Sequence, residues 1–245
     1  MKCNVIIPMA GAGSRFRASG YALPKPFIEF EGKMMIEHVL ASFSAIQSHI
    51  ILVLQEKFLE EQKEQLAKIQ QHYPIDFVTV PKLTMGAAIT ALAAHKKIDP
   101  NFDLLFADSD NIFSPKDVKD FLINVRERDL AGAMLTFFSN KPCFSYAKTN
   151  EEGYLIETKE KEVISCHAIA GMYYFKALEV FKDAVIDMIV EADLSKGEFY
   201  MSNVFNHLKK FTSQIGLYDI EHFDCVGTPE QLNEYLKRNH HARIQ

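Results

Sequence analysis

Residues 5–27 read Val-Ile-Ile-Pro-Met-Ala-Gly-Ala-Gly-Ser-Arg-Phe-Arg-Ala-Ser-Gly-Tyr-Ala-Leu-Pro-Lys-Pro-Phe: an apolar strand, a glycine-rich bend carrying Arg15, and Lys25 clamped between two prolines. The bend is a phosphate site. Gly11 and Gly13 lack Cβ, so the backbone is free to take positive φ and bring its N–H groups against a ligand's oxygens. Arg15 adds a rigid guanidinium fork and Lys25 a point charge. Pro24 and Pro26 restrict the chain around Lys25 and help aim it inward.

Two other glycine loops are excluded. A P-loop needs G-x-x-x-x-G-K-[ST], but the Gly32-Lys33 pair is followed by Met34, so the Mg2+-binding hydroxyl is missing. A dinucleotide fingerprint needs a third small residue, and Phe16 occupies that position after Gly11 and Gly13. The segment closely resembles the signature of the nucleoside-triphosphate transferase family, the sugar-nucleotide pyrophosphorylases and small cytidylyltransferases: G-x-G-[ST]-R-[MF] followed by P-K. The loop Met9, Ala10, Gly11, Ala12, Gly13 and Ser14 is then the nucleotide-binding turn.

The chain has 245 residues, long enough for one large α/β domain, and no linker is visible. With 48% hydrophobic and 24% charged residues it has the makings of a sizeable core and an ordinary polar surface. A net charge of −5 argues against a nucleic-acid partner, although Arg15, Arg17 and Lys25 still make one positive pocket. Apolar runs such as Ile50–Leu54 are too short to span a bilayer, and the opening residues read as a strand; the expected setting is cytoplasmic, with no membrane partner. Cys3, Cys143, Cys166 and Cys225 form no C-x-x-C and are expected as free thiols.

Apolar runs at Cys3–Ile7, Ile50–Leu54, Phe77–Val80 and Leu104–Ala107 alternate with helical patterns at Met34–Ile46, Phe58–Gln71, Gly86–Lys97 and Pro115–Val125. Four β-α units in a row predict an α/β fold with a doubly wound, mostly parallel, Rossmann-like sheet. Beyond about residue 130 the pattern turns to strands at Ala133–Phe138, Phe144–Lys148, Tyr154–Thr158 and Ala168–Phe175. Helices Leu178–Glu191 and Met201–Phe211 follow, then a strand Gln214–Ile220, a loop Asp224–Thr228 and a last helix begun by Thr228-Pro229. The expected division is a nucleotide-binding half over about 1–130 and a β-rich acceptor-binding half over about 131–245 of one domain.

The family resemblance extends from Ile6 to Leu232 and assigns roles. Lys82, Thr84, Gly86, Ala87 and Ala88 fall in a segment resembling T-x-G-x-A, which lies against the nucleotide base. Asp108-Ser109-Asp110-Asn111 stands at a strand end, where paired carboxylates need a neutralising cation. Asp110 is the implied Mg2+ ligand; Asp108 and Ser109 are counted with the nucleotide site, Asp108 either sharing the metal or orienting its neighbour. Phe223-Asp224-Cys225-Val226-Gly227-Thr228-Pro229 resembles D-x-G-T-P with one extra residue, which implies Asp224 as the second metal ligand. Glu160-Lys161 resembles E-K-P with Glu162 in place of proline, placing Lys161 on the acceptor phosphate; Gly171 and Glu198 are the other implied acceptor residues.

The resemblance implies a nucleotidyltransferase in which an acceptor phosphate attacks the α-phosphorus of a nucleoside triphosphate and pyrophosphate leaves. Arg15, Lys25 and Lys161 are its catalytic residues and Mg2+ its cofactor. The expected partners are a nucleoside triphosphate, CTP by preference, and a small phosphorylated acceptor, as in the compact cytidylyltransferases of capsule pathways. A homodimer is compatible with this reading. Rival readings are a sugar-1-phosphate nucleotidyltransferase using UTP, GTP or dTTP, a glycosyltransferase built on the D-x-D of Asp108-Ser109-Asp110, and a nucleotide-binding scaffold without turnover.

Overall fold

The computed structural model describes residues 2–242. Its strands and helices follow in the order β1 (Lys2–Pro8), α1 (Ser14–Ala18), β2 (Glu29–Phe30), β3 (Lys33–Met34), α2 (Met35–Ala41), β4 (Gln47–Gln55), α3 (Phe58–Glu61), α4 (Lys63–His72), β5 (Ile75–Val80), α5 (Ala87–Leu92), β6 (Leu104–Ala107), β7 (Asn111–Ile112) and α6 (Pro115–Glu127). The second half holds β8 (Gly132–Phe138), β9 (Tyr146–Thr149), β10 (Leu155–Lys159), β11 (His167–Phe175), α7 (Leu178–Val190), α8 (Met201–Leu208), β12 (Ile215–Ile220), β13 (Asp224–Cys225) and α9 (Pro229–Ala242).

Alternation along the strands builds a two-faced core. In β1, Val5 and Ile7 point to one face and Ile6 to the other; in β4, Ile50, Leu52 and Leu54 oppose Ile51 and Val53. Val118, Phe121 and Val125 of α6 cover the first face, while Ala88 of α5, Phe181 and Val185 of α7 and Val204 of α8 cover the second. Helices on both faces make the doubly wound α/β layers expected from the pattern.

Strands β5, β4, β1 and β6 are parallel neighbours, as four β-α units require. Past β6 the sheet is mixed: β11 runs antiparallel to β6 and to β8, and β12 lies parallel to β8. The early end of β11 changes partner, His167 and Ala168 pairing β9, which forms a hairpin with β10. The fork between β6 and β9 opens where Gly171 interrupts β11, and its register with β8 shifts between Ile169 and Tyr173.

Local departures from the sequence pattern have local causes. The helix expected over residues 34–46 stops at Ala41, because residues 42–46 tighten into turns and the Ser42 hydroxyl accepts a hydrogen bond from the Phe113 N–H at 2.9 Å. The helix expected over 58–71 breaks at Gln62, which leaves helical geometry at φ −124° with its side chain buried. Two short pairings, β2 with β3 and β7 with β13, were not legible as strands, since each element has only two residues.

Candidate active site

The glycine loop leaves β1 at the carboxyl end of the sheet and is fastened from below. Met9 donates its N–H to the Val53 carbonyl at 2.8 Å, and buried Gln55 donates Nε2 to the Ala10 carbonyl at 2.7 Å. Nothing local marks Gln55 for this role, because a lone glutamine at the end of an apolar strand has no signature. Gly13 takes φ 60° at the start of α1, and a Cβ there would stand 3.4 Å from the Lys25 Cβ, so its side-chain-free backbone lets the lysine pass close by. Phe16, the residue that rules out a dinucleotide fingerprint, is buried edge-on to Tyr21 at 5.1 Å and packs with Val226 and Leu232. It ties the loop to the C-terminal helix.

Lys25 sits at the start of a single helical turn, Lys25–Phe27, anchored by buried Pro26 and Phe27. Its Nζ donates to Asp110 Oδ2 at 2.6 Å, across 85 residues of sequence. Asp110 lies in the β6–β7 loop, immediately before β7, and its backbone carbonyl accepts from the Val226 N–H at 2.9 Å. Gly227 makes room for the carboxylate: a Cβ there would lie 2.4 Å from Asp110 Oδ2. Asp108 occupies the fork in the sheet, donating its N–H to the Gly171 carbonyl at 2.9 Å. Gly171 adopts φ 79°, and a Cβ would come within 2.3 Å of Asp108 Oδ2 and 2.4 Å of Asn111 Nδ2. Burial, reinforced by the Asp110 carboxylate and opposed by Lys25, pushes the Asp108 carboxyl up to about 7.

Two adjoining cavities meet on these residues. The first, about 380 Å3, runs from Met9, Ala10, Gly11 and Ala12 to Thr84, Gly86, Ala87 and Ser109. The second, about 490 Å3, is lined by Ser14, Glu160, Gly171, Tyr173, Phe144 and Phe223 among others. Gly13, Arg15, Lys25, Asp108 and Asp110 belong to both. The two chambers therefore face each other across two cationic side chains, Arg15 and Lys25, and two carboxylates.

The Thr84–Ala88 segment is welded to the loop before α8. Phe199 donates its N–H to the Met85 carbonyl at 2.7 Å and accepts from the Ala88 N–H at 3.2 Å. Gly86, at φ 122°, comes so close that a Cβ would lie 2.5 Å from the Phe199 carbonyl oxygen. This contact moves Glu198 from its expected place: it lines the first cavity, beside Thr84 and Gly86, and not the second. Ala88 is fully buried and serves as packing, its N–H already spent on Phe199. Lys82 lines an adjoining apolar groove with Met85 and Ile89 and does not line the first cavity.

In the second cavity the lining residue is Glu160, and not the expected Lys161 beside it. The Glu160 side chain is 5% exposed, accepts hydrogen bonds from the Ser145 and Ser202 hydroxyls, and lines the cavity. Lys161 takes φ 57°, with Nζ 3.5 Å from Glu160 Oε1 and 5.3 Å from the centre of the Tyr200 ring. It borders the cavity through these two partners without lining it.

Asp224 is the main departure. It does not join Asp110: it faces another surface groove with Ile112 and Lys116, pairing with Arg238 Nη2 at 2.9 Å and with His222 Nε2 at 3.1 Å. The short β13–β7 pairing sets this, because alternate residues of a strand point to opposite sides and Cys225 takes the side of the cavity. Burial, with Asp110 nearby, pushes the Cys225 thiol up to about 12. For a hard cation such as Mg2+ the fitting donors are oxygens, and these are supplied by Asp108, Asp110 and Asn111, whose Oδ1 is buried without a hydrogen-bond partner. Elsewhere among the described residues, Asp187, Glu191 and His207 cluster, but Lys210 already occupies them at 2.8 and 2.6 Å from the two carboxylates. The four cysteines are free, as expected, and no described helix is long and apolar enough to cross a membrane.

A doubly wound sheet with a glycine loop and paired carboxylates beyond its carboxyl ends is the nucleotidyltransferase type of α/β fold. The chain belongs to the MobA-like NTP transferase domain family, whose pattern matches residues 5–171. It is similar to the "Bifunctional protein GlmU" of Methanocaldococcus jannaschii, 26% identical over 95% of this chain and 54% of that one. The GlmU of Streptococcus equi subsp. zooepidemicus is likewise 26% identical, over 95% and 50%. The chain thus spans about half the length of these curated relatives. The nucleoside-diphosphate-sugar pyrophosphorylase from Vibrio cholerae RC9 shares the fold at TM-score 0.82 and 22% identity, covering 95% of this chain and 99% of that one. The inositol-1-phosphate CTP transferase from T. maritima does so at TM-score 0.77 and 16% identity, covering 95% and 92%.

Proposed function

We propose that this chain is a cytoplasmic nucleotidyltransferase that moves CMP from CTP onto the phosphate of a small phosphorylated metabolite, releasing pyrophosphate, in the synthesis of capsule or cell-surface polysaccharide. The observation that carries the reading is the meeting of two cavities, one floored by the glycine loop, on Lys25, Arg15 and the Asp108–Asp110 pair. Acceptor and triphosphate are both anions, so the obstacle is charge. Arg15 stands where the leaving phosphates would lie, and Lys25 where the α-phosphate would meet the acceptor. Lys161, steered by Glu160 and Tyr200, approaches the acceptor side. Positioning plus preorganised charge is the catalytic resource of such a site. A phosphomonoester, with its second pKa of about 6, is already ionised at neutral pH, so a general base is unnecessary. Mg2+, held by Asp110 and the oxygens beside it, would screen the phosphate charge when bound.

The preference for CTP rests on the small side chains of Gly86 and Ala87 opposite Ala10 and Gly11, which suit backbone readout of a compact pyrimidine. The test measures pyrophosphate release with each nucleoside triphosphate against phosphorylated sugars, amino alcohols and amino acids. CTP is expected to give the fastest release. Equal or faster release with UTP, GTP or dTTP overturns the CMP assignment, and sugar transfer without pyrophosphate release overturns nucleotidyl transfer itself.

A further inference from the structure

The donor set around the cavity junction departs from what a metal shared between the middle and the end of the chain requires. In the antiparallel β7–β13 pairing, Cys225 lies opposite Asn111 and Asp224 opposite Ile112. Directly opposed side chains share a face with Cβ atoms about 4.5–5.5 Å apart, while the next residue points the other way. Cys225 and Asn111 accordingly line the same cavity as Asp108 and Asp110, and Asp224 lines the groove behind it. The C-terminal segment thus presents a thiol where a second carboxylate would be needed.

Beside the cavity, the side-chain oxygen of a lining residue lacks a partner. Asn111 is 7% exposed; its Nδ2 donates to the Ala170 carbonyl at 3.0 Å, yet its Oδ1 is buried with no partner. A buried amide oxygen accepts from a donor or coordinates a cation, and the carboxylates beside it offer no proton when ionised. Among the described residues, the cation paired with these carboxylates is the Lys25 ammonium, 2.6 Å from Asp110 Oδ2.

Resting on the reading of this site as one that handles nucleoside triphosphates, we infer that the chain binds its divalent cation from one side only, through Asp108, Asp110 and the Asn111 amide oxygen of the β6–β7 loop. Cys225 stands in the place of the missing carboxylate and contributes no charge. Asp224 belongs to a surface ion pair with Arg238. Hard divalent cations bind through oxygen number and charge, so a site short of one carboxylate is a weak one that adding a carboxylate strengthens.

The test is the titration of free Mn2+ by electron paramagnetic resonance with the full chain, without nucleotide. Asp108→Asn and Asp110→Asn are each expected to weaken Mn2+ binding at least about tenfold, since even residues behind the ligands cost that much. Asp224→Asn and Cys225→Ser are expected to leave it unchanged, and Cys225→Asp to tighten it about tenfold. Circular dichroism checks the fold of each variant, and the two silent variants keep the result readable should the others misfold. Loss of binding in Asp224→Asn, unchanged binding in both Asp108→Asn and Asp110→Asn, or no Mn2+ binding by the wild-type chain overturns the inference. Pyrophosphate release is assayed in parallel: absence of release with every acceptor, alongside the expected Mn2+ pattern, counts against the proposed reaction and leaves the metal site standing.

Discussion

Replacing Lys25 by methionine keeps most of the unbranched stem and removes the terminal ammonium, with its charge and its hydrogen bond to Asp110. The lost partner is Asp110, 2.6 Å away, with the two side chains 22% and 19% exposed. At an effective dielectric of about 20, unit charges at that distance attract by about 6 kcal/mol before desolvation is counted. Partial exposure screens much of this, and pairs of this kind fall between the ~0–1 kcal/mol of exposed bridges and the ~3–5 kcal/mol lost on breaking a buried one. A loss of about 1–3 kcal/mol is expected, which in a chain of this size lowers Tm by about 2–4 °C per kcal/mol. The catalytic effect should be separate and larger. A preorganised charge on the transferring phosphoryl group carries ~10²–10³ in kcat, so pyrophosphate release should fall by that factor while the circular dichroism spectrum stays native. Adding Asp110→Asn should return most of the lost stability, since no unpaired carboxylate is left, and restore none of the turnover. A Lys25→Met enzyme within about tenfold of wild-type kcat refutes the reasoning and reduces Lys25 to a structural counter-ion.

Asp108→Asn should stabilise the chain more at pH 8 than at pH 5. The carboxyl is raised to about 7 in the fold from an ordinary value of 3.8, so the folded state holds its proton more tightly and loses stability as pH rises from about 4 to about 7; equal Tm gains at the two pH values contradict this. Gly171→Ala and Gly197→Ala both place a side chain at positive φ, 79° and 82°, at a backbone cost of about 1–2 kcal/mol each. Only at Gly171 does the new methyl strike Asp108 and Asn111, so thermal unfolding should show the larger loss there, and equal losses would mean that the fork in the sheet is not tightly packed.

The elements that carry periodic signals were readable in the chain. Alternating apolar strands, the glycine bend and the carboxylates after Leu104–Ala107 each depend on neighbours in sequence, and the structure finds them within a few residues of the expected bounds. The junction of the site rests on contacts between distant segments: Lys25 with Asp110, Gly86 against Phe199, Gly171 against Asp108. Glu160 was passed over in favour of Lys161 because a charge run does not say which of its members is buried, and the Ser145 and Ser202 hydroxyls that hold it come from other elements. Asp224 shows the boundary most sharply. The residue types of Asp224-Cys225-Val226-Gly227 are plain in the sequence, but a strand has a period of two, so which of Asp224 and Cys225 faces the site is set by register with β7. Local propensity determines that a segment is extended; only the partner strand determines which way its side chains point.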